Sequence, residues 1–261
     1  MLMDKFYNRY IIKGTIVAQT PIHIGEGNES INPIDTDNPV IKDEEGKPYI
    51  PGSSLKGALR SWIETLLRGN GRKILGEIDP PCLVVSEPCL GDDKDSKEWL
   101  KEIKNKHKDK ENSDRLVAEE IYKRLCIVCK IFGSQHFASK ITINDCRLKG
   151  NRAYIEKRDG VAIDRDTGTA ANNKKYDYEQ VAAGTEFNFY MTVDNLEDEN
   201  KKILQLIIKV LESGDFAVGG KTSVGLGRIK LCDTQIYKID ENNLENYLFD
   251  GLKEEMRCQY V

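Results

Sequence analysis

Four stretches of the chain carry the apolar patterns of β-strands. Residues 185–194 alternate apolar and polar side chains with a period of two, and residues 8–20 are rich in β-branched side chains with partial alternation. Shorter stretches predict strands over 141–148 and about 226–238. The pattern therefore predicts four strands separated by long connections.

Apolar residues at helical spacing predict two helices between these strands. The first spans about 53–68 and is expected to stop at Gly69-Asn70-Gly71. The second spans 197–213, where apolar residues form one stripe. The order strand, helix, strand, strand, helix, strand is that of the split β-α-β unit, so the chain is predicted to have an α+β, ferredoxin-like core.

Two polar stretches elaborate this core. Residues 70–135 contain a segment, 91–115, with alternating charge and few apolar anchors, which predicts a solvated insertion that is partly helical or disordered. Residues 149–184 form a second polar elaboration. Neither has the apolar periodicity to fold alone, and 1–261 is therefore interpreted as a single domain.

Composition narrows the class of protein. Of the 261 residues, 31% are charged, and the mean hydropathy is negative. No apolar run approaches the roughly 20 residues that span a bilayer, and the N-terminus lacks the apolar stretch of a secretory signal. We therefore expect a cytoplasmic protein with no membrane partner. In that reducing compartment, seven cysteines fit a metal site better than a disulfide framework.

The net charge of −4 counts against a simple nucleic-acid binder, but the charge is unevenly distributed. Between Glu77 and Glu120 acidic residues outnumber basic ones 13 to 8, whereas between Arg147 and Lys175 eight basic residues face four acidic ones. At physiological salt, charges more than about 8 Å apart across water are largely screened. A basic surface can therefore coexist with an acidic total.

The start of the first helix has the features of an anion site. Ser53 and Ser54 precede a periodic apolar run, as helix-capping residues do, and Lys56 and Arg60 lie one turn apart. Unpaired backbone N–H groups and the positive end of the helix dipole favour a phosphate there. The alternative is an ordinary capped helix whose two cations face solvent.

A second segment suited to phosphate lies near the C-terminus, from Gly219-Gly220-Lys221-Thr222 to Arg228. Glycines allow a backbone to approach a ligand closely, and Lys221 and Arg228 supply positive charge. The spacing of a Walker loop is absent, and the segment precedes a strand instead of a helix. The alternative is a plain glycine turn.

Taken together, the two segments resemble the RAMP superfamily of CRISPR-associated proteins, and within it the repeated backbone subunit of type III effector complexes. The resemblance rests on the I-P-G-S-S-L-K-G-x-L-R helix start and the G-G-K-T-S-x-G-L-G-R loop. Shorter matches extend over much of the chain: His23-Ile24-Gly25, Asp37-Asn38-Pro39-Val40-Ile41, Ile131-Phe132-Gly133, and Ile163-Asp164-Arg165 with Thr167-Gly168 and Ala170. Each match alone is weak, and together they are specific.

The resemblance implies a modified RRM-like core that polymerises along a guide RNA and holds its phosphates. The residues that would contact the guide are Ser53, Ser54, Lys56, Arg60, Gly219, Gly220, Lys221, Thr222 and Arg228, with His23 nearby. For His23 the alternative is a loop histidine whose partners are internal.

Residues 149–184 resemble the family's thumb, a β-hairpin that inserts between guide and target and flips a base pair at regular intervals. Ile163, Asp164 and Arg165 would contact RNA there. Turn residues and interleaved basic and aromatic side chains suit that task independently. The interleaved side chains are Arg152, Lys157, Arg158, Arg165, Lys174, Lys175, Tyr154, Tyr176 and Tyr178. The alternative is a mobile surface loop with incidental charge.

Asp37 matches the family's acidic residue after the first strand, which implies that it supports metal-dependent cleavage of target RNA. A carboxylate there would hold Mg²⁺, which polarises a phosphoryl oxygen during an in-line attack. Asp35 and Asp43 are close enough in sequence to compete for this assignment. In the alternative interpretation, Asp37-Asn38-Pro39 is simply a turn.

Four cysteines suit a structural zinc site, and the last two of them are separated by two residues, which is the spacing of a zinc knuckle. They are Cys82, Cys89, Cys126 and Cys129. Backbone subunits of the resembled family often carry a structural zinc in this region. The alternatives are that His107 or His136 replaces Cys82, or that the thiols hold no metal. A closed thiolate site would tie the charged insertion to the core.

The sequence therefore predicts a type III CRISPR backbone subunit, a metal-dependent endoribonuclease that binds guide RNA and cleaves complementary target RNA at regular intervals. Its partners would be guide RNA, target RNA, further copies of itself in a filament, and other type III effector subunits. The nearest alternative is a non-catalytic or capping RAMP paralogue that binds RNA. A more distant one is an unrelated ferredoxin-like nucleotide-binding enzyme.

Overall fold

An antiparallel sheet of six strands forms the centre of the protein in the computed structural model, which describes residues 2–25, 36–76 and 80–259. A separate antiparallel pair of strands projects from it. The strands are β1 (Asn8–Ala18), β2 (Ile141–Ile143), β3 (Ile155–Ile163), β4 (Ala170–Val181), β5 (Glu186–Asp194), β6 (Phe216–Ala217), β7 (Arg228–Asp240) and β8 (Arg257–Cys258). The main sheet runs β2-β5-β1-β7-β6, with β8 also paired to β7, and β3 pairs with β4.

The long strand β1 lies at the middle of the sheet, between β5 and β7. Its register with β7 shifts between Lys13 and Thr15, as at a β-bulge. A side chain on Gly14, at this shift, would bring a Cβ within 2.7 Å of the Cys232 carbonyl oxygen. Glycine is therefore required for β7 to approach β1 this closely.

Helices surround the sheet, and two of them supply most of its apolar cover. The helices are α1 (Gly52–Leu75), α2 (Lys94–His107), α3 (Ser113–Arg124), α4 (Ile127–Phe132), α5 (Lys201–Ser213) and α6 (Leu244–Asp250). The apolar stripes of α1 and α5 are buried in one core with side chains of the sheet, including Leu59, Ile207 and Phe189. The predicted α+β class is thus confirmed. Among the described residues, no helix is both long enough and apolar enough to cross a bilayer.

The Gly69-Asn70-Gly71 triplet does not end α1, contrary to the prediction, because the helix continues to Leu75. Each glycine inside a helix costs about 1 kcal/mol relative to alanine. Leu67 is buried in the main core and Leu75 packs against it, so tertiary contacts on both sides of the triplet offset this cost. The helix stops before Gly76, which has the left-handed φ of 87° typical of a helix C-terminus.

The predicted strand over 141–148 is also shorter than expected. Only β2 pairs continuously, and beyond it Cys146 and Leu148 each make a single bridge, to Ile50 and Phe187 respectively. The rest of the 141–148 stretch is therefore irregular, and it contacts both the sheet and the segment just before α1.

The charged stretch over 91–115 is largely helical, since it contributes α2 and the start of α3. Both helices pack around a second, smaller apolar cluster, in which Leu90, Ile103 and Phe137 are buried. A buried lysine joins this region to the sheet. Lys140 is 1% exposed, and its Nζ lies 2.9 Å from the Tyr122 hydroxyl, the Asn195 carbonyl and the Glu197 carboxylate.

Candidate functional site

The glycine loop after β6 meets the base of the β3–β4 hairpin around His23. The Gly220 N–H donates to the His23 carbonyl at 2.8 Å, and a Cβ on Gly219, whose φ is 90°, would lie 2.4 Å from that oxygen. On the other side, His23 Nδ1 donates to the Glu179 carbonyl of β4 at 2.7 Å. His23 is 8% exposed. It therefore joins the two elements through internal contacts.

Lys221 brings a positive charge onto aromatic rings of the hairpin. Its Nζ lies 4.3 Å from the ring centroid of Tyr178 and 4.8 Å from that of Tyr176. The two rings stack with centroids 6.4 Å apart. Gly160 faces Tyr176 across the hairpin, and a Cβ there would collide with the ring at 2.4 Å. An ammonium over stacked rings offers both a phosphate partner and a surface on which a base can stack.

Asp37 is held against β4 by a reciprocal pair of hydrogen bonds. Its backbone N–H donates to Asp177 Oδ1 at 2.8 Å, and the Asp177 N–H donates to Asp37 Oδ2 at 3.0 Å. The Asp177 carboxylate also forms an ion pair with Lys157 of β3. The pKa of Lys157 is raised, mainly by this contact and further by the nearby charges of Asp159 and Asp37. Asp37 itself is exposed.

Within residues 2–25, 36–76 and 80–259, Asp37 belongs to no group of converging metal ligands. Among the described residues, the one group of three or more His, Cys, Asp or Glu side chains with converging ligand atoms consists of cysteines. A divalent cation at Asp37 could take ligands from water and from RNA phosphate oxygens, as Mg²⁺ commonly does.

Of the two carboxylates that compete with Asp37 for the catalytic assignment, that of Asp43 has partners within the protein. Asp43 Oδ1 accepts from the backbone N–H groups of Glu45 and Lys47, and its Oδ2 pairs with Arg147. The Lys47 amide is the main reason that the pKa of Asp43 is lowered. This carboxylate thus stabilises a turn. Asp35 lies outside the described residues.

The start of α1 already has an anionic partner. The helix begins at Gly52, and Ser53 and Ser54 lie within its first turn, the former exposed and the latter half-buried. The Gly52 N–H donates to the Asp145 carboxylate at 2.9 Å. A Cβ on Gly52 would lie 2.1 Å from the Ile143 carbonyl oxygen, so only glycine fits at this contact. The serines therefore lie within the first turn and not before the helix, and Asp145 accepts from one of the backbone N–H groups at its start. A phosphate contact here stays a prediction.

The cation of Lys56 turns toward the protein. Its Nζ donates to Ser139 Oγ at 2.6 Å and to the Ile141 carbonyl at 2.9 Å. Burial lowers the pKa of Lys56, and the neighbouring charge of Arg60 lowers it further. Lys56 thus anchors α1 to the segment that leads into β2.

Arg60 makes internal contacts with each of its three nitrogens. Nε donates to Glu64 at 2.8 Å, Nη1 to the Gly133 carbonyl at 2.9 Å, and Nη2 to Cys129 Sγ at 3.3 Å. The expected exposed pair of cations on one face of α1 is therefore replaced by two side chains with structural contacts. The role of both in RNA binding stays a prediction.

Arg228, at the far end of the glycine loop, also has partners within the protein. Its guanidinium donates to the Gly214 carbonyl and to Asp215, with Nη2 at 3.1 and 3.0 Å respectively. Thr222, in contrast, is exposed. Lys221, whose ammonium lies over aromatic rings, and Thr222, which is exposed, are thus the loop side chains that best match the predicted phosphate contacts.

The tip of the hairpin presents side chains to solvent. Asp164 Oδ1 accepts from the N–H groups of Asp166 and Thr167, which builds the turn. Ile163 is 66% exposed, and Arg165 is exposed as well. An exposed isoleucine and arginine at the end of a projecting hairpin suit insertion between stacked bases.

Four cysteine thiols converge to form a candidate metal centre, with all Sγ atoms within 4.8 Å of one another. Cys82 Sγ lies 3.4 Å from Cys129 Sγ and 3.8 Å from Cys126 Sγ. Tetrahedral zinc with Zn–S bonds of about 2.3 Å separates its sulfurs by roughly 3.8 Å. The Cys126 N–H donates to Cys89 Sγ at 3.2 Å, as amides do to metal-bound thiolates. The group could therefore hold a metal ion.

The two histidines considered as substitutes for Cys82 lie outside this group. His107 is buried on α2, with Nε2 3.8 Å from Glu120. His136 is half-buried, and its backbone N–H donates to Ser134.

The sequence did not indicate the roles of Asp177 and Asp145, two acidic residues that contact segments far away in the chain. Asp177 lies 140 positions from Asp37, and Asp145 lies 93 positions from Gly52. Neither belongs to a local motif, because each acts on a backbone N–H that the fold brings beside it. The sequence does show a cluster of charged residues in the hairpin, but it does not indicate which charged side chain accepts from which backbone N–H.

Comparison with known proteins identifies related chains. A family model described as RAMP superfamily matches residues 15–230. A relative from Methanocaldococcus jannaschii, named "CRISPR system Cms endoribonuclease Csm3", is 28% identical over 241 residues, 87% of this chain and 80% of its own. Relatives with the same name come from Enterococcus italicus, 28% identical over 91% of this chain and 98% of its own, and from Methanothermobacter thermautotrophicus, 48% identical over 23% and 25%.

Proposed function

This chain belongs to the RAMP superfamily, and we propose that it acts as the endoribonuclease subunit of a type III CRISPR effector complex. In this role it binds guide RNA and cleaves complementary target RNA. The observation that carries the proposal is the convergence of three separate segments on consecutive residues of β4. Asp177 binds Asp37, Tyr178 lies under Lys221, and Glu179 binds His23.

Asp37 is the proposed catalytic residue. Its carboxylate would hold a divalent cation, and the bound ion would polarise a phosphoryl oxygen and offset the charge that develops there. The hydrogen bond from Asp177 N–H to Oδ2 fixes the orientation of this carboxylate. Exposure of Asp37 beside the projecting hairpin leaves it accessible to a displaced target strand.

RNA binding is proposed for the glycine loop and the hairpin. Gly219 and Gly220 bring the backbone close to His23, and Lys221 adds charge over aromatic rings. The exposed Ile163 and Arg165 support the interpretation of the hairpin as the family's thumb. Further copies of the chain, other effector subunits and the two RNA strands are its proposed partners.

Within the α+β class, we propose that the fold has a ferredoxin-like core. The four strands β2, β5, β1 and β7 are adjacent in that order, and α1 and α5 pack in one core. Antiparallel strands with two helices in this connectivity are those of the split β-α-β unit. In this interpretation, 70–135 is an insertion, and zinc bound by the four converging cysteines stabilises it.

Cleavage by the assembled complex tests the proposal. Labelled target RNA incubated with guide-loaded complex and Mg²⁺ should give a ladder of evenly spaced products. Asp37→Ala should lower the cleavage rate by about 100-fold or more, because about 2.7 kcal/mol of transition-state stabilisation is lost with the cation.

The matched control is Asp43→Ala, which removes the neighbouring carboxylate that stabilises a turn. This variant should keep the ladder. A full ladder from Asp37→Ala would show that the catalytic assignment is wrong, and binding of guide RNA without any ladder from the unaltered complex would favour a non-catalytic paralogue.

A further inference from the structure

We infer that Asp177 is a positioning residue for target cleavage, because it fixes the carboxylate of Asp37 from the neighbouring hairpin; this inference rests on the proposed role of Asp37. The two residues lie 140 positions apart and meet through two hydrogen bonds of 2.8 and 3.0 Å. Each backbone N–H donates to the carboxylate of the other residue. The pair therefore constrains both the backbone and the side chain of Asp37.

The two oxygens of Asp177 have different partners. Oδ1 accepts from the Asp37 N–H, and Oδ2 pairs with Lys157 Nζ on the adjacent strand. The ammonium holds the Asp177 carboxylate in one orientation and offsets part of the repulsion between two neighbouring carboxylates. Lys157 thus favours the placement of Asp177 beside Asp37.

The loop that carries Asp37 is attached to β4 at successive positions, Tyr178 and Glu179. Asn38 bridges Tyr178, and the Glu179 N–H donates to the Asn38 carbonyl at 3.0 Å. The Glu179 carboxylate accepts from the Val40 N–H at 3.1 Å. A shift of β4 would therefore move the Asp37 loop with it. Since misplacement of a reacting group by about 1 Å can lower a rate by about 100-fold, this attachment couples hairpin position to cleavage.

Single-turnover cleavage by the guide-loaded complex tests the inference, with target affinity measured separately. Asp177→Ala should lower the cleavage rate by about tenfold or more and change target affinity by less than about twofold. Asp177→Asn should recover most of the rate, because its side-chain oxygen can still accept from the Asp37 N–H. The matched control is Asp250→Ala, which removes a partly exposed carboxylate from α6, where it pairs with Lys253, and should leave both quantities unchanged.

A double-mutant cycle separates positioning from general stability. In an Asp37→Ala background, Asp177→Ala should cause no further loss of rate, because the residue acts through Asp37. Additive losses, an equal fall in affinity and rate, or a normal rate in Asp177→Ala would each overturn the inference. If Asp37→Ala cleaves normally, it is the proposed function that fails, so the two failures are distinguishable.

Discussion

Arg60 connects α1 to the cysteine group through its guanidinium. Its position one turn after Lys56 predicts a phosphate contact at the start of α1. In the fold, the guanidinium instead links Glu64, the Gly133 carbonyl and the Cys129 thiol. A hydrogen bond from a guanidinium to a metal-binding thiolate orients that ligand, so Arg60 is expected to stabilise the cysteine group.

Arg60→Gln should lower the free energy of unfolding by about 2 kcal/mol, because charged hydrogen bonds to buried acceptors are lost. Chemical denaturation measures this change, and the metal content of the purified variant should fall with it. Lys73→Gln, which removes a positive charge from an exposed position on the same helix, is the control and should leave both values unchanged. Unchanged stability together with weaker RNA binding would restore the phosphate role.

At the scale of elements, the insertion depends on a small core. Helices α2 and α3 pack with Leu90 and Phe137 in a cluster that also contains Cys129, and the other three cysteines of the group pack against it. A structural metal supplies folding free energy to such a region directly. The main sheet has its own, larger core.

Removal of the metal should therefore loosen the insertion selectively. After chelation, amide hydrogen exchange of α2 and α3 should speed up, while β1, β5 and β7 stay protected. Cys126→Ser should have the same effect and should lower the metal content below the one ion per chain expected of the proposed site. Cys232→Ser alters a half-buried thiol outside the group and serves as the control. Full metal content in Cys126→Ser would contradict the proposed site.

At the scale of the whole molecule, a net charge of −4 must be reconciled with RNA binding. Many cations are paired internally, as Lys140 is with Glu197 and Arg9 with Asp194. The cations near the hairpin, including Lys221, therefore matter more for binding than the total does. Local charge dominates because distant charges are screened across water.

The affinity of the protein for single-stranded RNA should fall steeply with salt, with a slope in the double-logarithmic plot of about −0.7 per phosphate contact. Lys221→Gln should reduce the magnitude of this slope by about 0.7, because one contact is lost. Lys230→Gln, which alters an exposed cation on β7, should leave the slope unchanged. An affinity that does not change between about 50 and 200 mM salt would rule out phosphate binding.

Much of the fold was predictable because local patterns dictate it. Period-two alternation marks β5, and the helical stripe of α5 is buried as expected. The end of α1 was mispredicted, since packing of Leu67 and Leu75 outweighs the local effect of two glycines. The shortening of β2 has a similar origin, because beyond Ile143 the stretch meets β5 only at isolated positions such as Leu148, which bridges Phe187.

The sequence by itself determined the order of strands and helices, the four cysteines, the glycine loop and the candidate carboxylate. These features depend on side-chain periodicity, on glycine's backbone freedom and on short spacings, which are local properties. Only the tertiary structure decided which charges meet which partners. It places Asp145 at the start of α1, turns Lys56 and Arg60 inward, and brings Asp177 to Asp37. Such pairings join residues far apart in the chain, so chain topology determines them and no local pattern encodes them.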